Sequence, residues 1–246
     1  MDTRFTLHVA PAGDVLEAAR DCEELVFDTV YGNSREEWVE EYGPYDANSV
    51  FLAVTEPGGD AIAAMRIIRP GPIGLKTLVD TARPPWFVDG ERAARSAGLD
   101  LAATWDVATV AMRPRVPGSS LVPAALYHAM FQAARLSDIR WIVMILDARV
   151  RRLLNALSID TQPLPGCRPG PYLGSASSLP LWGDLPAMAD RQRRDAPDAH
   201  RLVNLGIGLT DIALPAQEAF RIGATPAIPA RRPAVPAGQV VATPRD

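Results

Sequence analysis

Residues Trp105 to Ile159 constrain the fold of this chain more than any other stretch. They read as strand, glycine–serine loop, helix, strand and helix. The first strand, Thr104–Arg113 (TWDVATVAMR), runs into the loop Pro114-Arg115-Val116-Pro117-Gly118-Ser119-Ser120, and a helix is predicted at once over Leu121–Leu136. The apolar run Trp141–Leu146 is a buried strand, and a second helix starts at Ala148. Two strands joined through a helix pair in parallel, by a crossover. A strand that empties through a Gly/Ser loop into a helix brings free N–H groups and the positive end of the helix dipole to one point. That point suits an anion, such as the phosphates of a pantetheine carrier.

Upstream, Phe5–Val9 alternates as a first strand, and Asp14–Val30 places Val15, Ala18, Ala19, Cys22, Leu25, Val26 and Thr29 on one helical face. Ser34 and Glu37 form a capping-box pair that opens a second helix, stopped at Gly43-Pro44. Val50–Val54 and Ala61–Ile68, joined by Glu56-Pro57-Gly58-Gly59-Asp60, read as a β-hairpin, and a further helix is predicted near Glu91–Ala97. After an irregular Thr161–Gly166, Tyr172–Leu181 adds a last strand or hairpin. The expected fold class is α/β in the α+β sense: a mixed, mostly antiparallel sheet with one parallel pair and helices on both faces. Residues 1–186 form the domain and 187–221 an extension that the apolar Leu202–Leu214 could dock onto it. Residues 222–246, with five prolines and few large apolar groups, read as a disordered tail.

The bulk properties remove several functions. A net charge of −4 gives no basic field for nucleic acid. No run approaches ~18 apolar residues and the N-terminus has no apolar signal core, so no membrane span is expected and the cytoplasm is the default compartment. Two distant cysteines, Cys22 and Cys167, make neither a disulfide scaffold nor a zinc site, and three scattered histidines give no metal centre. Of 25 basic residues, 24 are arginine and one, Lys76, is lysine, which with the many Ala and Pro reads as a compositional bias.

The order of elements and several spaced residues resemble the GNAT acyltransferase superfamily, with Gly118-Ser119-Ser120 where that family cradles its donor's pyrophosphate; Pro117 replaces the usual Arg or Gln. Over residues 4–182 the chain is similar to the autoinducer branch, the acyl-homoserine-lactone synthases and the N-acyl amino acid synthases. The points of resemblance are Phe27, Trp38, Tyr45-Asp46, Met65-Arg66-Ile67-Ile68-Arg69-Pro70 and Trp105-Asp106-Val107; Gly74–Asp80 lies where that branch carries a poorly paired excursion. Departures are Glu23 where the branch has arginine, Asp106 where it has Glu, Thr109 where the homoserine-lactone synthases have arginine, and Leu154 near the place of the acetyltransferase tyrosine that protonates the leaving thiolate.

The resemblance implies an N-acyltransferase, with acyl-CoA or acyl-acyl-carrier-protein as co-substrate, an amine (an amino acid among the candidates) as acceptor, and no metal. A plain acetyl-CoA N-acetyltransferase and a catalytically degenerate binding module are the alternatives. On this reading Asp106, Arg66 and Asp46 are the catalytic candidates. Asp106 orients the incoming ammonium or accepts its proton; equally, it is a strand-end residue facing solvent. Arg66, in an apolar strand, needs a partner: a salt bridge with Asp46, or a substrate carboxylate. The donor candidates are Val110, Met112, Arg113, Arg115, Gly118, Ser119 and Ser120. Backbone N–H groups of Val107–Met112 polarise the thioester carbonyl if the strand carries a splay or bulge. Phe27, Trp38, Trp105 and Thr109 line the acceptor or acyl pocket, or, for Phe27 and Trp38, the core. Arg113, Arg115, Arg149, Arg151 and Arg152 form a cluster suited to phosphate or to the acidic face of an acyl carrier protein, or else an ordinary solvated surface.

Overall fold

The alternating and apolar runs assemble into one nine-stranded sheet in the computed structural model, which describes residues 3–223. The strands are β1 (Phe5–Val9), β2 (Ser49–Thr55), β3 (Ala61–Ile68), β4 (Thr104–Met112), β5 (Trp141–Asp147), β6 (Gln162–Pro163), β7 (Gly170–Tyr172), β8 (Ser175–Asp184) and β9 (Ile212–Ala213). They lie in the order β6-β8-β5-β4-β3-β2-β1-β9, with β7 paired to β8. The predicted hairpin is β2–β3, and the crossover pair β4–β5 is parallel. A second parallel pair, β1–β9, was not expected; it joins only Phe5 to Ile212 and Thr6 to Ala213, too short a strand to leave a period in the sequence.

Helix α1 (Gly13–Tyr31) ends at Gly32, whose φ of 72° is the left-handed closure that glycine supplies without strain. The capping box of Ser34 and Glu37 opens α2 (Arg35–Tyr42). Short helices α3 (Lys76–Asp80) and α4 (Gly90–Ser96) follow the hairpin, so the excursion at Gly74–Asp80 is in part helical. Helix α1 packs on β2, β3 and β4 over Leu16, Ala19, Cys22 and Val26. Helix α5 (Val122–Leu136) covers the other face, where Ala124, Ala125, Ala129, Ala133 and Ala134 are buried and let it lie close to the sheet. Helix α6 (Ala148–Ala156) leaves β5 directly.

The extension forms α7 (Leu185–Asp195) and α8 (Pro197–Leu205), and α8 packs on α5. Buried side chains tie it down: His128 Nδ1 lies 3.0 Å from the Val203 carbonyl, and Gln132 Nε2 donates to the Asn204 carbonyl at 2.6 Å. Ile222, at the start of the expected tail, is buried and donates its N–H to Ser137 Oγ at 3.1 Å. The rest of that tail, 224–246, lies outside the described residues.

Candidate active site

Strand β4 pairs with β3 as far as Met112 but with β5 only from Thr104 to Asp106. Beyond the Asp106–Val143 pair the two parallel strands splay, and a cavity of about 550 Å³ opens between them. Val107, Thr109, Val110 and Met112 line one side, Ile145, Leu146 and Asp147 the other, with Phe27 of α1, Tyr127 of α5 and Leu154 of α6 closing the walls. Among the described residues β4 has no strand partner on this edge past Asp106, so its backbone polar groups face the cavity. The strand also carries a bulge: Arg66 pairs with Thr109 and Ile67 with Val107, leaving Ala108 as the extra residue. Strict alternation would point Asp106 and Thr109 to opposite faces. The bulge returns both to the α1 face, while Trp105 and Val107 stay in the core beneath α5.

Two buried ionic arrays sit above this splay. The first centres on Arg66, 4% exposed. It donates to Glu23 through Nε at 3.0 Å and Nη2 at 2.7 Å, and to Asp46 through Nη1 at 2.8 Å. Glu23 also accepts from Trp38 Nε1 at 3.2 Å and from the Thr109 hydroxyl. Burial works against the guanidinium's charge, but the Glu23 and Asp46 carboxylates outweigh it and hold Arg66 above its ordinary range.

The second array centres on Lys76. Its ammonium donates to Asp80 Oδ2 at 2.5 Å, to Tyr172 Oη at 3.0 Å and to Glu41. Tyr172 in turn donates to Asp80 Oδ2 at 2.5 Å. Next to it, Asp106 accepts from the Thr77 N–H at 2.5 Å and the Thr77 hydroxyl at 2.9 Å. Burial pushes the Asp106 carboxyl up to about 7, against the pull of those two bonds and of Lys76. Tyr42 stands between the arrays, its ring 5.0 Å from the Arg66 guanidinium carbon and 4.8 Å from Lys76 Nζ.

The structure redistributes the sequence candidates. Phe27, Thr109, Val110, Met112 and Ser120 line the cavity. Trp105 does not: it is 2% exposed, packed in the core under α5. Trp38 stands one layer back, its ring 4.3 Å from Phe27 and 4.3 Å from Tyr42. Asp106 is not a solvent-facing strand end, since it is completely buried, and it too lies behind the wall. Arg66 and Asp46 do pair, but Glu23 takes Nε and Nη2 of the same guanidinium, and Arg66 is buried outside the cavity wall.

At the donor end, Gly118 adopts φ 75° and starts a 3₁₀ turn, Ser119–Leu121, that leads into α5. Among the described residues no side chain caps α5; its first N–H, from Val122, donates back to the Ser119 carbonyl, and Pro123 in its first turn has none. Arg113, Arg115, Gly118 and Ser119 lie outside the cavity wall but adjoin Met112 and Ser120, which are in it. Arg113, Arg115, Arg149, Arg151 and Arg152 form no salt bridge among the described residues. Arg113 Nε and Arg151 Nε are buried without a hydrogen-bond partner.

Sequence reasoning passed over four participants. Glu23, a departure from the autoinducer pattern, is the hub of the first array. Lys76 and Asp80 are four residues apart on α3, a polar pair whose burial no periodicity announces. Tyr172 reaches the cavity because Gly174 turns β7 into β8 against α1: a Cβ there would lie 2.3 Å from the Tyr31 carbonyl oxygen.

No protein-family model matches the chain. No characterised protein matches it in sequence. Its fold does have solved counterparts. FeeM, an N-acyl amino acid synthase from uncultured soil microbes, superposes with a TM-score of 0.57 at 16% identity, covering 76% of this chain and 93% of FeeM. BjaI, a CoA-dependent acyl-homoserine lactone synthase solved with SAM and isopentyl-CoA, superposes at 0.52 with 15% identity, covering 88% of this chain and 96% of BjaI. At this identity the likeness is one of fold, and the fold of this chain is that of the GNAT acyltransferases.

Proposed function

We propose that the chain is an N-acyltransferase that moves a medium or long acyl group from a pantetheine thioester, on CoA or an acyl carrier protein, to an amine, with amino acids as the favoured class. The observation that carries this reading is the splay of β4 from β5, which sets a one-sided strand edge against an apolar cavity of about 550 Å³. A cavity of that size belongs to the range of small-molecule sites. An acetyl group would leave most of it empty, whereas each methylene buried contributes about 0.8 kcal/mol, so the cavity favours a long chain by several kcal/mol.

A thioester is already activated, and holding it beside the amine supplies much of the rate. Backbone N–H groups on the free edge of β4 stabilise the oxyanion as the carbonyl becomes tetrahedral. The positive end of the α5 dipole and the arginines beside it that form no salt bridge receive the donor's phosphates. Arg113 and Arg115 leave β4, and Arg149, Arg151 and Arg152 lie on α6, so the same residues present a basic surface to an acidic carrier protein. Leu154, buried in the cavity wall, places hydrocarbon near where acetyltransferases of this fold carry their acidic tyrosine, which also favours a chain over an acetyl group. Two free, buried cysteines fit a cytoplasmic setting for this chemistry.

The test is incubation of the full chain with pooled amino acids and, in separate reactions, dodecanoyl-carrier protein, dodecanoyl-CoA and acetyl-CoA, followed by mass spectrometry. N-dodecanoyl products, with acetylation slower by about 100-fold or more, are expected. Acetylated product alone, or no product from any donor, overturns the reading.

A further inference from the structure

In a chain with 24 arginines, the single lysine occupies a buried position, and all three of its N–H bonds are used. Lys76 is 2% exposed and donates to Asp80, Tyr172 and Glu41. A compact ammonium reaches three acceptors arranged around one nitrogen; a planar guanidinium presents its donors in a fixed fork and does not. The exception to the compositional bias therefore falls where that geometry is required.

The array also connects two different surfaces. Tyr172 is its one hydrogen-bonded member in the cavity wall. Asp80 and Lys76 are sealed behind it, and the Glu41 side chain is 25% exposed at the far end. Other groups border the path without joining it: Asp106 through Thr77, the rings of Tyr42 and Tyr45, and Arg83, which lies 3.8 Å from Asp80. Burial, then Tyr42 and the Asp80 and Glu41 carboxylates, holds Tyr172 well above the usual phenol range, so it rests as a hydroxyl.

We propose that Tyr172, Asp80, Lys76 and Glu41 form the exit path for the proton that the acceptor amine sheds, with Tyr172 facing the substrate and Lys76 and Asp80 as positioning residues behind it. This rests on the acyl-transfer reading. As the amine nitrogen bonds the carbonyl carbon and the C–S bond breaks, an ammonium acceptor must lose two protons. One goes to the departing sulfur, which leaves as a thiol. The other passes to the Tyr172 oxygen while that hydroxyl gives its own proton to Asp80. Lys76 then hands a proton to Glu41 and takes the one on Asp80, and Glu41 releases it to water.

The test compares wild type with Tyr172→Phe and Lys76→Arg, using dodecanoyl-CoA or its carrier-protein form and pooled amino acids, from neutral to alkaline pH. Tyr172→Phe removes one oxygen and leaves the Lys76 ion pairs, so it should still melt cooperatively, lowered by about 3–8 °C for the lost bonds. Its kcat is expected to fall about 100-fold or more at neutral pH, with the donor KM unchanged. The deficit should close as pH rises and the acceptor deprotonates unaided. Lys76→Arg, which keeps the charge and loses the geometry, should follow the same profile. Variants whose pH–rate profiles keep the wild-type shape, whatever their kcat, overturn the proposal. Absence of product from wild type with every donor overturns the acyl-transfer reading beneath it, and is recognised without any variant.

Discussion

The two ionic arrays on either side of Tyr42 are built from the same materials and are not the same kind of object. In the first, Glu23 and Asp46 face two buried guanidiniums, Arg66 and, 3.5 Å from Asp46, Arg20; Trp38 and Thr109 also donate to Glu23, and only Thr109 touches the cavity. In the second, Lys76 faces two carboxylates with Asp106 nearby, one end reaches the cavity at Tyr172 and the other approaches solvent at Glu41. A closed, satisfied network fixes structure. A network with an excess of acid and two open ends can move a proton or hold a cation. The difference lies in where each array ends.

The largest effect expected from that difference is on stability. Arg66→Ala leaves Glu23 buried without its cation and Asp46 with only Arg20, 3.5 Å away, and a broken buried pair costs about 3–5 kcal/mol. Urea denaturation should show a loss of that size. A loss below about 1 kcal/mol would mean that water already reaches Glu23 and that the first array is as open as the second.

Next in size is a pH effect at the border of the second array. Burial sets the Asp106 carboxyl at about 7 in the folded protein, above its ordinary 3.8. The folded state therefore holds a proton that the unfolded chain releases, so stability is full below the ordinary value and falls as pH rises through about 7. Between pH 5 and 8 the wild type should lose roughly 2–3 kcal/mol more than Asp106→Asn, which has nothing to titrate. Parallel denaturation series at the two pH values measure this. Equal slopes would show Asp106 ionised throughout and the acid excess of the second array larger than described.

Much of this frame was legible in the residues, and the illegible part has a physical reason. Apolar period gave the strands and helices, Ser34 and Glu37 gave a cap, and an arginine in the apolar run AAMRIIRP demanded the partner it finds in Asp46. The bulge at Ala108 carries no glycine to announce it. Its trace is a spacing: Trp105 and Val107 are two apart, Val110 and Met112 are two apart, and the step between the pairs is three. Glu23 was hidden because a carboxylate on an apolar helix face reads as an exception until its guanidinium, 43 residues away, is brought to it. Lys76 is the one exception to a bias toward arginine, a signal that lies in composition and not in any period.

The smallest effect is the sharpest test, because it falls where the first array meets the cavity. Thr109 is the residue of the first array that lines the cavity, so its side chain either contacts the acceptor or only braces Glu23. Thr109→Val keeps the shape and removes the hydroxyl that Glu23 accepts from. Glu23 retains Arg66 and Trp38, so the stability cost should sit near the lower end for a bond to a charged group, about 1.5 kcal/mol. If the first array is a brace, N-acyl product formation should change by less than about threefold, well under 1 kcal/mol of transition-state energy. A tenfold loss of kcat/KM with the modest stability change intact would place Thr109 against the substrate. In that case Glu23 and Arg66 support the acceptor through it, and both arrays, rather than one, open onto the chemistry.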